Sequence, residues 1–160
     1  MIQAFIVHAD AALAWRVFPD LVKRIRAFAA KYEPKTNTDE LIKDLEKAFL
    51  ERSPGMFGIV GFDERGLIVG HALLRIETYY GRRALCVMQA ERDKGSTTDD
   101  EFRNAFMEIL RTLARKVKAA ELRTLALSKV HERYYQRLGW ETERIVMVHP
   151  VGDDDGRIQD

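Results

Sequence analysis

The chain has 160 residues and a formal charge of +1, a size suited to one domain around one hydrophobic core. With 46% hydrophobic and 32% charged residues, 10 Gly and 4 Pro, its composition excludes disordered and collagen-like classes. The near-zero charge argues against a general nucleic-acid or membrane-surface binder, and no apolar run approaches the roughly 18 residues of a membrane-spanning helix.

Residues Ile2 to His8 read as a short strand with neither a basic lead nor a small-residue cleavage site, so no signal peptide is expected. The lone Cys86 forms no internal disulfide, which fits a reducing compartment and a cytoplasmic location. Asp10 is placed to cap a helix whose buried stripe is Leu13, Val17, Leu21, Ile25 and Phe28. Pro19 interrupts that stripe and predicts a kink or two abutting helices. After the loop Glu33 to Thr38, Asn37 and Glu40 form a capping pair for a second helix carried by Leu41, Leu45, Ala48 and Phe49. Ser53-Pro54-Gly55 ends it.

Three β-rich runs follow, Met56 to Asp63, Leu67 to Thr78 and Arg83 to Glu91. The short connections Asp63-Glu64-Arg65-Gly66 and Tyr79-Tyr80-Gly81-Arg82 predict antiparallel hairpins. A long helix spans about Asp99 to Ala119, burying Phe102, Phe106, Ile109, Leu110, Leu113 and Val117. Leu122 to Ser128 reads as a strand, Val130 to Leu138 as a short helix and Trp140 to His149 as a last strand. The expected class is α/β in the order β-α-α-β-β-β-α-β-α-β, a mixed sheet with helices on both faces. Residues 1–150 form the single domain of this reading, and 151–160 an acidic tail.

This order, together with Tyr135-Gln136-Arg137-Leu138-Gly139-Trp140, resembles the GNAT superfamily of acetyl-CoA-dependent N-acetyltransferases, whose matching segment reads Tyr-Glu-Lys-Leu-Gly-Phe. The local logic stands by itself: Gly139 can take the left-handed conformation that stops a helix, and Trp140 then packs under the sheet. By element order the resemblance covers residues 1–150; in sequence it is specific only over 121–140. It implies that Tyr135 protonates the departing CoA thiolate, a task suited to a phenol that holds its proton at neutral pH. A second reading makes Tyr135 an amphipathic core-edge residue beside Tyr134. Where relatives carry Asn seven residues before that tyrosine, this chain has Ser128.

In active relatives, the loop before the long helix carries Gln/Arg-x-x-Gly-x-Gly/Ala, whose backbone N–H groups hold the CoA pyrophosphate at the helix N-terminus. Here it reads Glu91-Arg92-Asp93-Lys94-Gly95-Ser96-Thr97-Thr98-Asp99-Asp100-Glu101, with one glycine. A carboxylate about 5 Å from a phosphate costs roughly 3 kcal/mol at an effective dielectric near 20, before salt screening. Asp99, Asp100 and Glu101 therefore oppose CoA, while Arg92 and Lys94 offset part of that cost, with Gly95 and Ser128 completing the candidate cofactor set. Glu91 is either a general base or a solvated strand-end charge. The four histidines, His8, His71, His131 and His149, are scattered without ligand spacing, so no metal site is expected.

The leading expectation is thus a GNAT-like protein that has kept the fold and lost the reaction. It would bind no cofactor and act as a structural or protein-interaction component with a protein partner or as a homo-oligomer. Small degenerate GNAT-like proteins of tailed phages, which act in virion assembly, share these losses. The rival is an acetyl-CoA-dependent N-acyltransferase with an atypical loop, Tyr135 as acid and Glu91 as base. An enzyme requires an open cleft between the fourth and fifth strands.

Overall fold

The computed structural model describes residues 3–6, 11–51, 55–95, 99–125 and 127–142. The chain divides into two compact units, Met1–Leu125 and Ala126–Asp160. The first holds a five-stranded sheet, β1 (Gln3–Ile6), β2 (Met56–Phe62), β3 (Ile68–Tyr79), β4 (Arg82–Arg92) and β5 (Glu121–Thr124), ordered as in the chain. The first four strands pair antiparallel, and β4 pairs with β5 in parallel. Around them lie α1 (Ala11–Tyr32), α2 (Thr38–Leu50) and α3 (Asp99–Lys116).

Of the stripe read from the sequence, Val17, Leu21, Ile25 and Phe28 of α1 are buried, joined by Ala14, while Leu13 is partly buried. Ala14, Val17, Leu21 and Ile25 form one core with Leu41, Ile42, Leu45 and Ala48 of α2 and Met56, Val60 and Leu73 of the sheet. Of the two outcomes expected at Pro19, abutting helices are not seen: α1 runs as one helix through it. Pro19 is exposed, so the carbonyl it leaves without a donor one turn earlier can be met by water, while buried Val17 and Leu21 hold the helix on either side. Asn37 caps α2 as expected, its Oδ1 accepting the Glu40 N–H at 3.2 Å.

Both hairpins form. Asp63 closes the first, its Oδ1 accepting from the N–H groups of Arg65 and Leu67, each at 2.9 Å. In the second, Tyr80 and Gly81 take φ of 50° and 76° between paired Tyr79 and Arg82, the two-residue turn that matches strand twist.

Successive β3 residues point to opposite faces. His71 meets Phe28 of α1 edge-on at 6.2 Å, whereas a side chain at neighbouring Gly70 would run into Phe102 of α3. Thus α1 and α2 cover one face and α3 the other. β4 carries a bulge: Leu73 pairs with Gln89 and Leu74 with Val87, leaving Met88 as the extra residue.

In the second unit, α4 (Lys129–Arg137) is capped by Ser128, whose Oγ accepts the His131 N–H at 3.2 Å. Gly139, at φ +82°, ends it as predicted. The Gly139 N–H donates to Gln136 O at 3.0 Å and the Trp140 N–H to Tyr135 O at 3.1 Å, the paired bonds of a left-handed glycine cap. The Asp10 cap, the last strand from residue 143 onward and the acidic tail lie outside the described residues.

Candidate functional site

β5 pairs with β4 only from Ala84↔Glu121 to Val87↔Thr124. The Thr124 hydroxyl donates to Val87 O at 3.2 Å at the last rung. Beyond it comes the Met88 bulge, and β4 continues to Arg92 paired with β3 alone among the described strands. The Asp93 N–H donates to Val69 O at 2.8 Å, so residue 93 addresses β3. Strand alternation then turns the backbone groups of Ala90 and Arg92 to the opposite, open edge.

On the α1-facing side, the same stretch of sheet carries polar side chains. Arg24 holds Asp93 through two bonds of 2.7 and 2.8 Å and also donates to Ile68 O at 3.0 Å. The Arg24 hydrogen bond keeps the Asp93 carboxyl below its ordinary range despite partial burial. Lys31 reaches Glu91 at 3.3 Å and lies over the Tyr32 ring at 4.5 Å. Between these pairs sit His71 and Gln89, each 1% exposed. Burial first, and the Arg24 charge second, push the His71 imidazole down to about 4. Gln89 pulls weakly the other way without closing a hydrogen bond to the ring.

The expected site residues divide between the units. Glu91, Arg92, Lys94 and Gly95 lie together at the end of β4 and in the turn after it, with Gly95 at φ +75°. Glu91 meets Lys31 at 3.3 Å in a solvent-exposed pair. Residues 96–98 lie outside the described residues, and α3 begins at Asp99 as expected. Asp100 is paired with Arg103 at 2.7 Å, which tempers the repulsion of a phosphate.

Ser128 and Tyr135 belong to the second unit. Ser128 is occupied as the cap of α4. The Tyr135 ring lies 5.5 Å from Trp140 and 5.7 Å from Tyr134, the apolar contact that accompanies a glycine cap.

His71 and Gln89 were not singled out by sequence reasoning as site residues. Their signal was present: each is a polar residue inside an otherwise apolar strand run, His71 before Ala72-Leu73-Leu74 and Gln89 after Leu85-Cys86-Val87-Met88. Cys86 behaves as inert packing, since burial pushes its thiol up to about 11. Among the described residues there is no group of metal-binding side chains, and no helix long and apolar enough to cross a membrane.

No family model matches the sequence, and no curated protein matches it. Solved structures do match. A Clostridium acetobutylicum protein described as a predicted acetyltransferase, solved with acetyl-CoA, has a TM-score of 0.68 at 15% identity over 93% of this chain and 96% of its own. Glucosamine-6-phosphate N-acetyltransferase from Arabidopsis thaliana has a TM-score of 0.63 at 13% identity over 95% of this chain and 99% of its own. A Trypanosoma brucei acetyltransferase has 0.61 at 17% over 94% and 100%. At these identities the likeness is one of architecture, and it agrees with the mixed α/β fold traced above. The chain has the GNAT fold, the fold of the N-acetyltransferases.

Proposed function

We propose that the protein is an acyl-CoA-dependent N-acyltransferase that binds the acyl and pantetheine portion of its cofactor along the open edge of β4. The observation carrying this is the end of β4–β5 pairing at Val87 and Thr124, followed at once by the Met88 bulge. A pantetheine arm is an extended chain with two amides, and an open strand edge offers the complementary row of N–H and C=O groups. The residues fit that end of the cofactor. At the pyrophosphate end Arg92 and Lys94 supply charge, and the acidic first turn of α3 is partly answered by Arg103.

When bound, acyl-CoA supplies an activated acyl group. The Ala90 N–H lies on the open edge and would be available to stabilise charge developing on a thioester oxygen. Glu91 and Glu33 are the carboxylates available to take a proton from an incoming amine, and Lys31 orients Glu91. Tyr135 remains the residue that the family resemblance assigns to protonating the thiolate.

A second reading, a non-catalytic binding component of the kind found in virion assembly, is favoured by the single glycine of the loop and by the acidic start of α3. The two part on one variant. Ala90→Pro removes an N–H from the open edge without removing a ladder bond, a substitution that edges tolerate. On the enzyme reading its Tm stays near that of the parent, while affinity for acetyl-CoA falls at least about tenfold, as for loss of one well-placed donor. Unchanged affinity in a folded Ala90→Pro protein would refute the edge-bound cofactor.

A further inference from the structure

Four side-chain atoms under α1 have no hydrogen-bond partner: both ring nitrogens of His71 and both amide atoms of Gln89. Leaving such an atom buried and unmet costs about 1–3 kcal/mol, and native proteins keep few of them. The two residues are neighbours across the ladder, because Leu73 pairs with Gln89 and His71 with Glu91. Gln89 also directly follows the bulge, on the strand whose other edge is open.

Glu33, just past the end of α1, completes the group. It is half-buried, and desolvation raises its pKa; the Gln89 amide is near enough to pull weakly the other way without closing a hydrogen bond. The two other carboxylates there are matched, Glu91 to Lys31 and Asp93 to Arg24. Among the described residues Glu33 forms no ion pair. The floor therefore presents a donor and an acceptor at His71, a donor and an acceptor at Gln89, and one carboxylate without a cation.

We infer that His71, Gln89 and Glu33 form the acceptor side of the site, and that the acceptor is a small primary amine bearing a hydroxyl or amide group. This rests on the acyltransferase reading. A hydroxyl or amide both donates and accepts, as His71 and Gln89 require, whereas an ammonium only donates and suits Glu33. An alkyl amine would leave the buried polar atoms unmet, so the site discriminates by what it would strand. Entry requires the C-terminal end of α1 to lift. It is held there by Phe28 against His71 and by the exposed Lys31–Glu91 pair, a weak latch.

Ethanolamine and propylamine differ by a hydroxyl in place of a methyl group, and they are the probes. The full chain is titrated with each while the His71 ring and Gln89 amide resonances are followed, with acetyl-CoA binding measured separately on the same preparation. Saturable shifts with ethanolamine, at least about tenfold tighter than with propylamine, are expected. Glu33→Gln weakens both amines. The double variant His71→Leu, Gln89→Leu abolishes the preference and raises the Tm, because it deletes stranded polar atoms without opening a large cavity. The parent comparison needs no variant, so a misfolded variant leaves the inference exposed to refutation. Equal shifts for the two amines, or none, overturn it, as does a folded double variant that keeps the preference. Bound acetyl-CoA without amine discrimination removes this inference alone; absent acetyl-CoA binding removes the reading beneath it.

Discussion

Acidification from pH 6.5 to about 4 is expected to cost the folded protein about 3 kcal/mol through His71 alone. Its imidazole, 1% exposed beside the Arg24 guanidinium, binds a proton only near pH 4 when folded, against 6.5 in the free side chain. In the unfolded chain the same imidazole takes up its proton as the pH drops below 6.5. The unfolded state is therefore favoured progressively across that window, and the full stability is present only above it. At about 1.4 kcal/mol for each tenfold change in proton affinity, the two values correspond to about 3 kcal/mol. For a chain of this size that is a fall in Tm of about 5–10 °C. Urea unfolding at neutral pH and near pH 4.5 measures it, and the difference between parent and His71→Leu isolates it from other titrating groups. Asp93 adds nothing in this window, because Arg24 holds its folded pKa below the usual range and its contribution is lost only at lower pH. Identical pH slopes for parent and His71→Leu would show that the ring is not buried in its neutral form.

The second large effect is steric. A Cβ at Gly70 would lie 2.2 Å from Phe102 Cε2, 2.7 Å from its Cζ and 2.8 Å from the Glu91 carbonyl oxygen. The ring could move only by leaving its stack on Phe106, where the centroids are 5.9 Å apart and the planes 7° from parallel. The carbonyl belongs to β4 and cannot move without disturbing the ladder beside the open edge. Gly70→Ala is thus expected to destabilise by about 3 kcal/mol, at the upper end of overpacking costs. Truncating the ring in the double variant Gly70→Ala, Phe102→Leu recovers part of that loss relative to Gly70→Ala alone, a coupling that a double-mutant cycle reads directly. A change below about 0.5 kcal/mol for Gly70→Ala would mean that α3 does not press on β3 at this point.

Much of this architecture was legible in the sequence because local chemistry decides it. The α1 stripe, the Asn37 cap, the Asp63 turn and the Gly139 stop each depend on residues within one or two turns of one another. Pro19 does not divide α1 because its cost is local while its rescue is tertiary: an exposed proline in a helix whose other face is pinned by Val17 and Leu21 need not break it. The site was less legible for the same reason. The run Leu85-Cys86-Val87-Met88-Gln89 reads as an uninterrupted strand, and only its pairing with Leu73 and Leu74 makes Met88 a bulge. His71 and Gln89 look like ordinary polar residues until the fold buries both without closing a hydrogen bond at their side-chain atoms. The acidic start of α3 is visible in the chain, and the helix itself softens it by bringing Arg103 within 2.7 Å of Asp100.

Whether the open edge of β4 receives acyl-CoA is read by calorimetric titration of the full chain with acetyl-CoA and with CoA at low salt. One site per chain is expected, with micromolar affinity for acetyl-CoA that weakens with added salt as Arg92 and Lys94 are screened from the phosphates. Absence of heat up to millimolar acetyl-CoA would contradict it, leaving a GNAT fold whose β4 edge serves a protein partner instead.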